Sequence, residues 1–180
     1  MHATYLADIR RTYRNYRQLA ERAIAQVSDA QLTTALDADD NSIAVIMRHV
    51  SGNLQSRFRD FLTSDGEKPD RNRDGEFDTP SPDRALLLQE WDAAWAVVLA
   101  ELDQLTPEDL ERTVHIRREP FVVVEALNRS AAHTAYHVGQ IVFLAKHLAA
   151  AAWTSLSIPK GKSAEFGSGT FKQGMVPPTR

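Results

Sequence analysis

The chain has 180 residues, with 21 basic against 24 acidic side chains and a formal net charge of −3. That length fits one domain with its own core, and the balance excludes a one-signed field that would draw nucleic acid or an anionic membrane. With no cysteine there are no disulfides, thiolate nucleophiles or zinc–thiolate sites, which leaves histidines and carboxylates as candidate metal ligands.

The first residues lack an apolar signal core and no run reaches the length of a membrane span, so the expectation is a cytoplasmic protein with no nucleic acid and no membrane partner. Over residues 5–27, Leu6, Ile9, Tyr13, Tyr16, Leu19, Ala23, Ile24 and Val27 follow a helical period. Arg10, Arg11, Arg14, Arg17 and Arg22 fall on the other faces of this first helix and read as a solvated surface.

A polar, cap-rich stretch then leads to Asn41 or Ser42, where a second helix starts and runs to about Leu62. Its seam passes through Ile46, Val50 and Phe61, and His49 lies beside that seam. Residues 63–82 carry mixed charges, two glycines and three prolines, which forbid a regular helix. This long loop reads as a solvated crossover or as a lid over a site at the end of the helices.

Ser81 as N-cap and Pro82 as first helical residue open a third helix, whose bulky face is Leu86, Leu88, Trp91, Trp95, Val98, Leu99 and Leu102. The two tryptophans read as core anchors. Thr106 and Pro107 start a short helical turn, and residues 112–120 read as extended linking structure in which His115 has no partner at ligand spacing.

A fourth, long helix is expected from near Val122 to Ala151. Leu127, Ser130, Thr134, His137, Ile141, Leu144 and Leu148 recur at steps of three and four, so His137 points inward. His133 lies one turn earlier on the same face, and the pair forms a two-ligand arm for a metal. Zinc peptidases share the H-x-x-x-H spacing but carry a glutamate after the first histidine, where this chain has Thr134. Read alone, the pair is equally open to two histidines satisfied by hydrogen bonds at a core edge. A third ligand has to come from elsewhere, and His49 is the candidate on a facing helix.

Gly139 costs this helix about 1 kcal/mol relative to alanine, which predicts close packing or a ligand near His137. His147 suits the helix C-terminus as a dipole-complementing group. The tail after Trp153 is not helical, and Leu156 and Ile158 are placed to pin it along a groove or onto a second subunit. Residues 159–163 lack the first glycine and the preceding strand of a phosphate loop, which argues against nucleotide binding.

The segments 42–53, 61–69, 137–141 and 156–166, together with a histidine in the second helix and H-x-x-x-H in the fourth, resemble the DinB/YfiT-like superfamily and, within it, the bacterial group called DUF1572. The resemblance covers nearly the whole chain. It implies an all-α four-helix bundle with a long loop between helices 2 and 3 and an irregular C-terminal tail, often assembled as a homodimer. Residues 1–166 form the single expected domain, and 167–180 a flexible tail. The resemblance also implies a divalent metal held by His49, His133 and His137, with zinc or nickel favoured and iron or copper also accepted by such sites.

Superfamily members include enzymes that use a low-molecular-weight thiol, such as mycothiol or bacillithiol, as S-transferases and isomerases. Three neutral imidazoles leave a metal its full charge and an open position, where water becomes acidic or a thiol binds as thiolate. No general base is obvious: Glu125, Asn53 and Tyr136 lie near the histidines in sequence without a determined direction, and no catalytic residue is assigned. The expected function is a thiol-dependent S-transferase or isomerase acting on a small-molecule substrate. The alternatives are a metal-dependent hydrolase using metal-bound hydroxide and a non-enzymatic metal-binding or stress-related protein.

Overall fold

The computed structural model describes residues 1–78 and 83–165. Its backbone is mostly helical: α1 (His2–Ile24), α2 (Asp29–Leu32), α3 (Ile43–Phe58), α4 (Arg84–Gln104) and α5 (Val123–Ala149) are joined by loops and one β-hairpin. None of these helices is long and apolar enough to cross a membrane. The expected tail 167–180 and the Ser81 and Pro82 start signal lie outside the described residues.

Helix α1 buries Leu6, Ile9, Tyr13, Ala20, Ala23 and Ile24, the stripe its period predicts, and packs on α5 and α4. Arg10 departs from the solvated face expected of it. Its Nε donates to Leu102 O and its Nη2 to Leu105 O, both at 2.8 Å, satisfying carbonyls left open where α4 ends. Arg84, the first residue of α4, donates in turn to the carbonyls of Ile24 and Val27 where α1 ends. Each helix thus finishes its partner.

The short α2 is set by a capping box in which Ser28 Oγ accepts from Gln31 N–H and Gln31 Oε1 accepts from Ser28 N–H. Helix α3 starts where its cap residue predicts, with Ser42 Oγ accepting from Val45 N–H at 3.3 Å. It ends at Phe58 rather than Leu62: Arg59 turns extended with a ψ of 122°, and Asp60 follows with a positive φ of 52°. Thirteen of its 16 residues are buried, since α4, α5 and the following loop cover it on several sides.

Helix α4 begins at Arg84 with Asp83 as its cap, the carboxylate accepting from Ala85 and Leu86 N–H. Trp91 and Trp95 are fully buried, as core anchors should be. The inward leucine of its first turn is Leu87, whereas Leu86 is exposed and Leu88 only half-buried. After α4, Pro107–Glu111 makes a turn of 3₁₀ helix capped by Thr106 and Asp109.

The mostly helical expectation holds, and the next segment adds a small two-stranded sheet to it. Strands β1 (Thr113–Ile116) and β2 (Glu119–Val122) pair antiparallel, with Thr113 opposite Val122 and Ile116 opposite Glu119. The two turn residues, Arg117 and Arg118, both take positive φ, at 54° and 67°. Such turns usually carry Asn-Gly, and the arginines are held by Asp65, whose carboxylate accepts their N–H groups at 2.9 and 2.7 Å.

Helix α5 opens with Glu125 accepting from Val122 N–H at 2.9 Å and closes at Ala149, where Ala150 has a φ of 48°. Beyond it, Leu156 is buried, and Thr154 exchanges two hydrogen bonds with the Gln26 side chain. The start of the tail is therefore pinned along the end of α1.

Candidate metal centre

His49 stands on the second turn of α3, and His133 and His137 stand one turn apart on α5. The fold brings all three together. One ring nitrogen of each lies within 4.8 Å of the others, and the rings sit 4.6 to 5.3 Å apart between centroids. His49 and His137 are buried, and His133 is half-buried.

Each nitrogen's role follows from its partner. His49 Nδ1 is 2.9 Å from Glu76 Oε2, and a carboxylate there accepts the proton, leaving Nε2 with its lone pair free. His137 Nδ1 is 2.8 Å from Gln140 Oε1, with the same consequence for its Nε2. His137 Nε2 is buried and has no hydrogen-bond partner, a state it shares with Tyr13 Oη and the indole Nε1 of Trp91 and Trp95, and among the described residues it is the one such atom in the histidine cluster. His49 Nε2 and His133 Nε2 face each other at 3.3 Å. Two nitrogens each about 2.1 Å from one tetrahedral zinc lie roughly 3.4 Å apart, so this pair has the spacing of two ligands to one ion, and the third histidine's nitrogen lies within 4.8 Å of them.

Protonation favours the same use. Burial, with the positive charge of the neighbouring histidines and of Arg57 and Arg71, pushes His133 down to about 3. Burial also pushes His137 down to about 4, against a partial upward pull from Gln140. Both imidazoles are therefore neutral at physiological pH, the form that ligates.

Glu76 has no counterpart in the sequence reading. It lies in the 3₁₀ turn Asp74–Phe77 of the long loop, and Arg71 grips it through Nε to Oε1 at 2.8 Å and Nη2 to Oε2 at 3.0 Å. Burial raises its pKa, but the hydrogen bonds from His49 and Arg71 outweigh that and hold it below the usual carboxylate range. The only sequence signal was a long loop in a compact domain, since nothing in its spacing ties position 76 to a histidine 27 residues earlier. Gly52 makes the contact possible: a Cβ there would lie 2.1 Å from Glu76 Oε1.

Other expectations separate cleanly. Gly139 does not sit against a neighbour, because a Cβ there would meet nothing within 4 Å. Glu125 is exposed at the start of α5, and Tyr136 is exposed with its ring 4.0 Å from that of His137. His115 and His147 are surface residues. Among the described residues, no carboxylate other than Glu76 hydrogen-bonds or ion-pairs with any of the three histidines.

The fold and site thus define a mostly helical protein with a three-histidine cluster able to hold a metal. A family model described as "Protein of unknown function (DUF1572)" matches residues 1–162, and the chain belongs to that family. Among curated proteins none matches the chain.

Proposed function

We propose that the chain is a DinB-like four-helix bundle whose His49, His133 and His137 hold a divalent metal, zinc or nickel first, for the chemistry of a low-molecular-weight thiol in an S-transferase or isomerase reaction. The observation that carries this reading is the buried, unpartnered Nε2 of His137 beside the facing Nε2 atoms of His49 and His133. A metal at that position supplies positive charge that favours the thiolate form of a thiol near neutral pH.

The chain's own residues do the positioning. Glu76 and Gln140 fix the tautomers of His49 and His137, and Arg71 fixes Glu76. Phe77, 4.9 Å from the His49 ring, and Tyr136, 5.2 Å from the His133 ring, flank the cluster on its exposed side. Glu76 is committed to His49 and Arg71, so it is poorly placed to take a proton from water. That favours thiol chemistry over hydrolysis.

The test is elemental analysis of protein purified without an affinity tag or chelator, beside His137→Ala. Near-stoichiometric metal lost in the variant, with metal-dependent consumption of a small thiol and an electrophile, is the expected result. Protein that neither carries metal nor takes up added zinc or nickel would overturn the reading.

A further inference from the structure

Beside the cluster, between α3, β1 and α5, a narrow cleft of about 20 Å³ is lined by Asn53, Arg57, Phe58, Ile116, Arg129 and His133. Room of that order holds about one water-sized group, so a larger ligand can insert one oxygen and must leave the rest of itself at the mouth. His133 belongs to both the cleft wall and the histidine cluster, so whatever enters the cleft lies against the candidate metal centre.

The charges around the cleft do not cancel. Arg57 is 7% exposed; its Nη1 donates to Gly66 O and its Nη2 to Glu67 Oε2 at 3.0 Å, while its Nε is buried without a partner. Burial lowers the Arg57 pKa, and Arg71 and Arg129 press in the same direction against the pull of Glu67. Glu67 is shared further, with Arg117 at 3.0 Å and Arg71 at 3.7 Å, and Glu76 is taken by Arg71 and His49. Four guanidiniums thus stand against Glu67, Glu76 and, beyond them, Asp65, whose oxygens are occupied by backbone N–H groups.

Arg129 is one turn before His133 on the same face of α5. No carboxylate pairs with it among the described residues, and its one ring contact is Phe121 at 5.9 Å. Arg129 is exposed, so an anion from outside can reach it at the mouth of a cleft whose wall holds the second, buried cation. The small volume and the apolar walls of Phe58 and Ile116 suit a flat carboxylate inserting one oxygen better than a tetrahedral phosphate dianion. Both Arg57 Nη groups are engaged, so the entering oxygen can meet only Arg57 Nε, and the guanidinium open to edge-to-edge pairing is that of Arg129.

We infer that this cleft binds the carboxylate of a small organic acid between Arg57 and Arg129, which makes a carboxylate-bearing molecule the substrate class of the site. The position of that molecule's reacting end rests on the metal reading above; the carboxylate site itself does not.

The test titrates the full-length protein, once zinc-loaded and once chelator-treated, with propionate, propionamide and inorganic phosphate, following binding by nuclear magnetic resonance. Arg129→Gln is run in parallel, with zinc affinity and melting temperature as folding controls. Propionate is expected to bind both forms, at least tenfold tighter than propionamide and more tightly than phosphate. Arg129→Gln should weaken propionate roughly tenfold and leave zinc affinity unchanged.

Propionamide equal to propionate, phosphate preferred over propionate, or propionate binding that is indifferent to Arg129→Gln would each overturn the inference. Arg129-dependent propionate binding in protein that takes up no zinc would support the cleft and defeat the metal reading. Zinc uptake without a carboxylate preference would do the reverse.

Discussion

The contact between α1 and α4 and the enclosure formed by α3, α5 and the 63–78 loop use the same residue type for opposite ends. At the first, Arg10 and Arg84 complete the open carbonyls of each other's helices, and Tyr13 packs edge-on to Trp95 at 6.2 Å in an aromatic and aliphatic core. At the second, Arg57 and Arg71 are drawn inside beside histidines and two shared glutamates. Arginines that close helix ends add stability. Arginines that crowd a polar interior cost desolvation, which is tolerated where the arrangement holds something in place.

Substitutions should separate the two regions. Trp95→Ala, in the hydrophobic core, is expected to cost about 3–5 kcal/mol by chemical denaturation. It should leave metal affinity per folded molecule unchanged. Glu76→Gln should do the converse: zinc affinity, measured by competition with a chromophoric chelator, falls about 10–100-fold while stability drops by less than in the tryptophan variant. Arg10→Ala uncovers the end of α4 and is expected to cost about 1 kcal/mol with no change in zinc affinity. Gly139→Ala is the smallest change and has the opposite sign. With open space around the position, it should raise stability by about 0.5–1 kcal/mol, visible as a higher denaturant midpoint at constant slope.

What was legible in the sequence followed periodicity and caps. The stripes of α1 and α5, the Ser42 start of α3, the tryptophan anchors and the pairing of His133 with His137 come from spacing along one helix or from a face that must point inward, whereas His49 was a candidate from a facing helix that the family resemblance implied as third ligand. What was not legible depends on partners distant in the chain. Glu76 reaches His49 only because Gly52 leaves room, and Arg10 became a cap only once the end of α4 lay beside it. The hairpin was hidden because Arg117 and Arg118 carry no turn signal of their own and borrow one from Asp65. Gly139 misled in the other sense, since a glycine in a helix suggests a neighbour that is not there.

That borrowed turn has a consequence for the order in which the chain assembles. A hairpin whose strands are adjacent in sequence ordinarily forms early, because its loop is short. Here two non-glycine residues in the left-handed region oppose closure by about 1–2 kcal/mol each until a carboxylate 52 residues upstream arrives to bind their N–H groups. The hairpin is therefore expected to form late. It should close only after α3 and α4 have delivered the 63–67 segment, so the wall of the cleft beside His133 is among the last parts of the molecule to set.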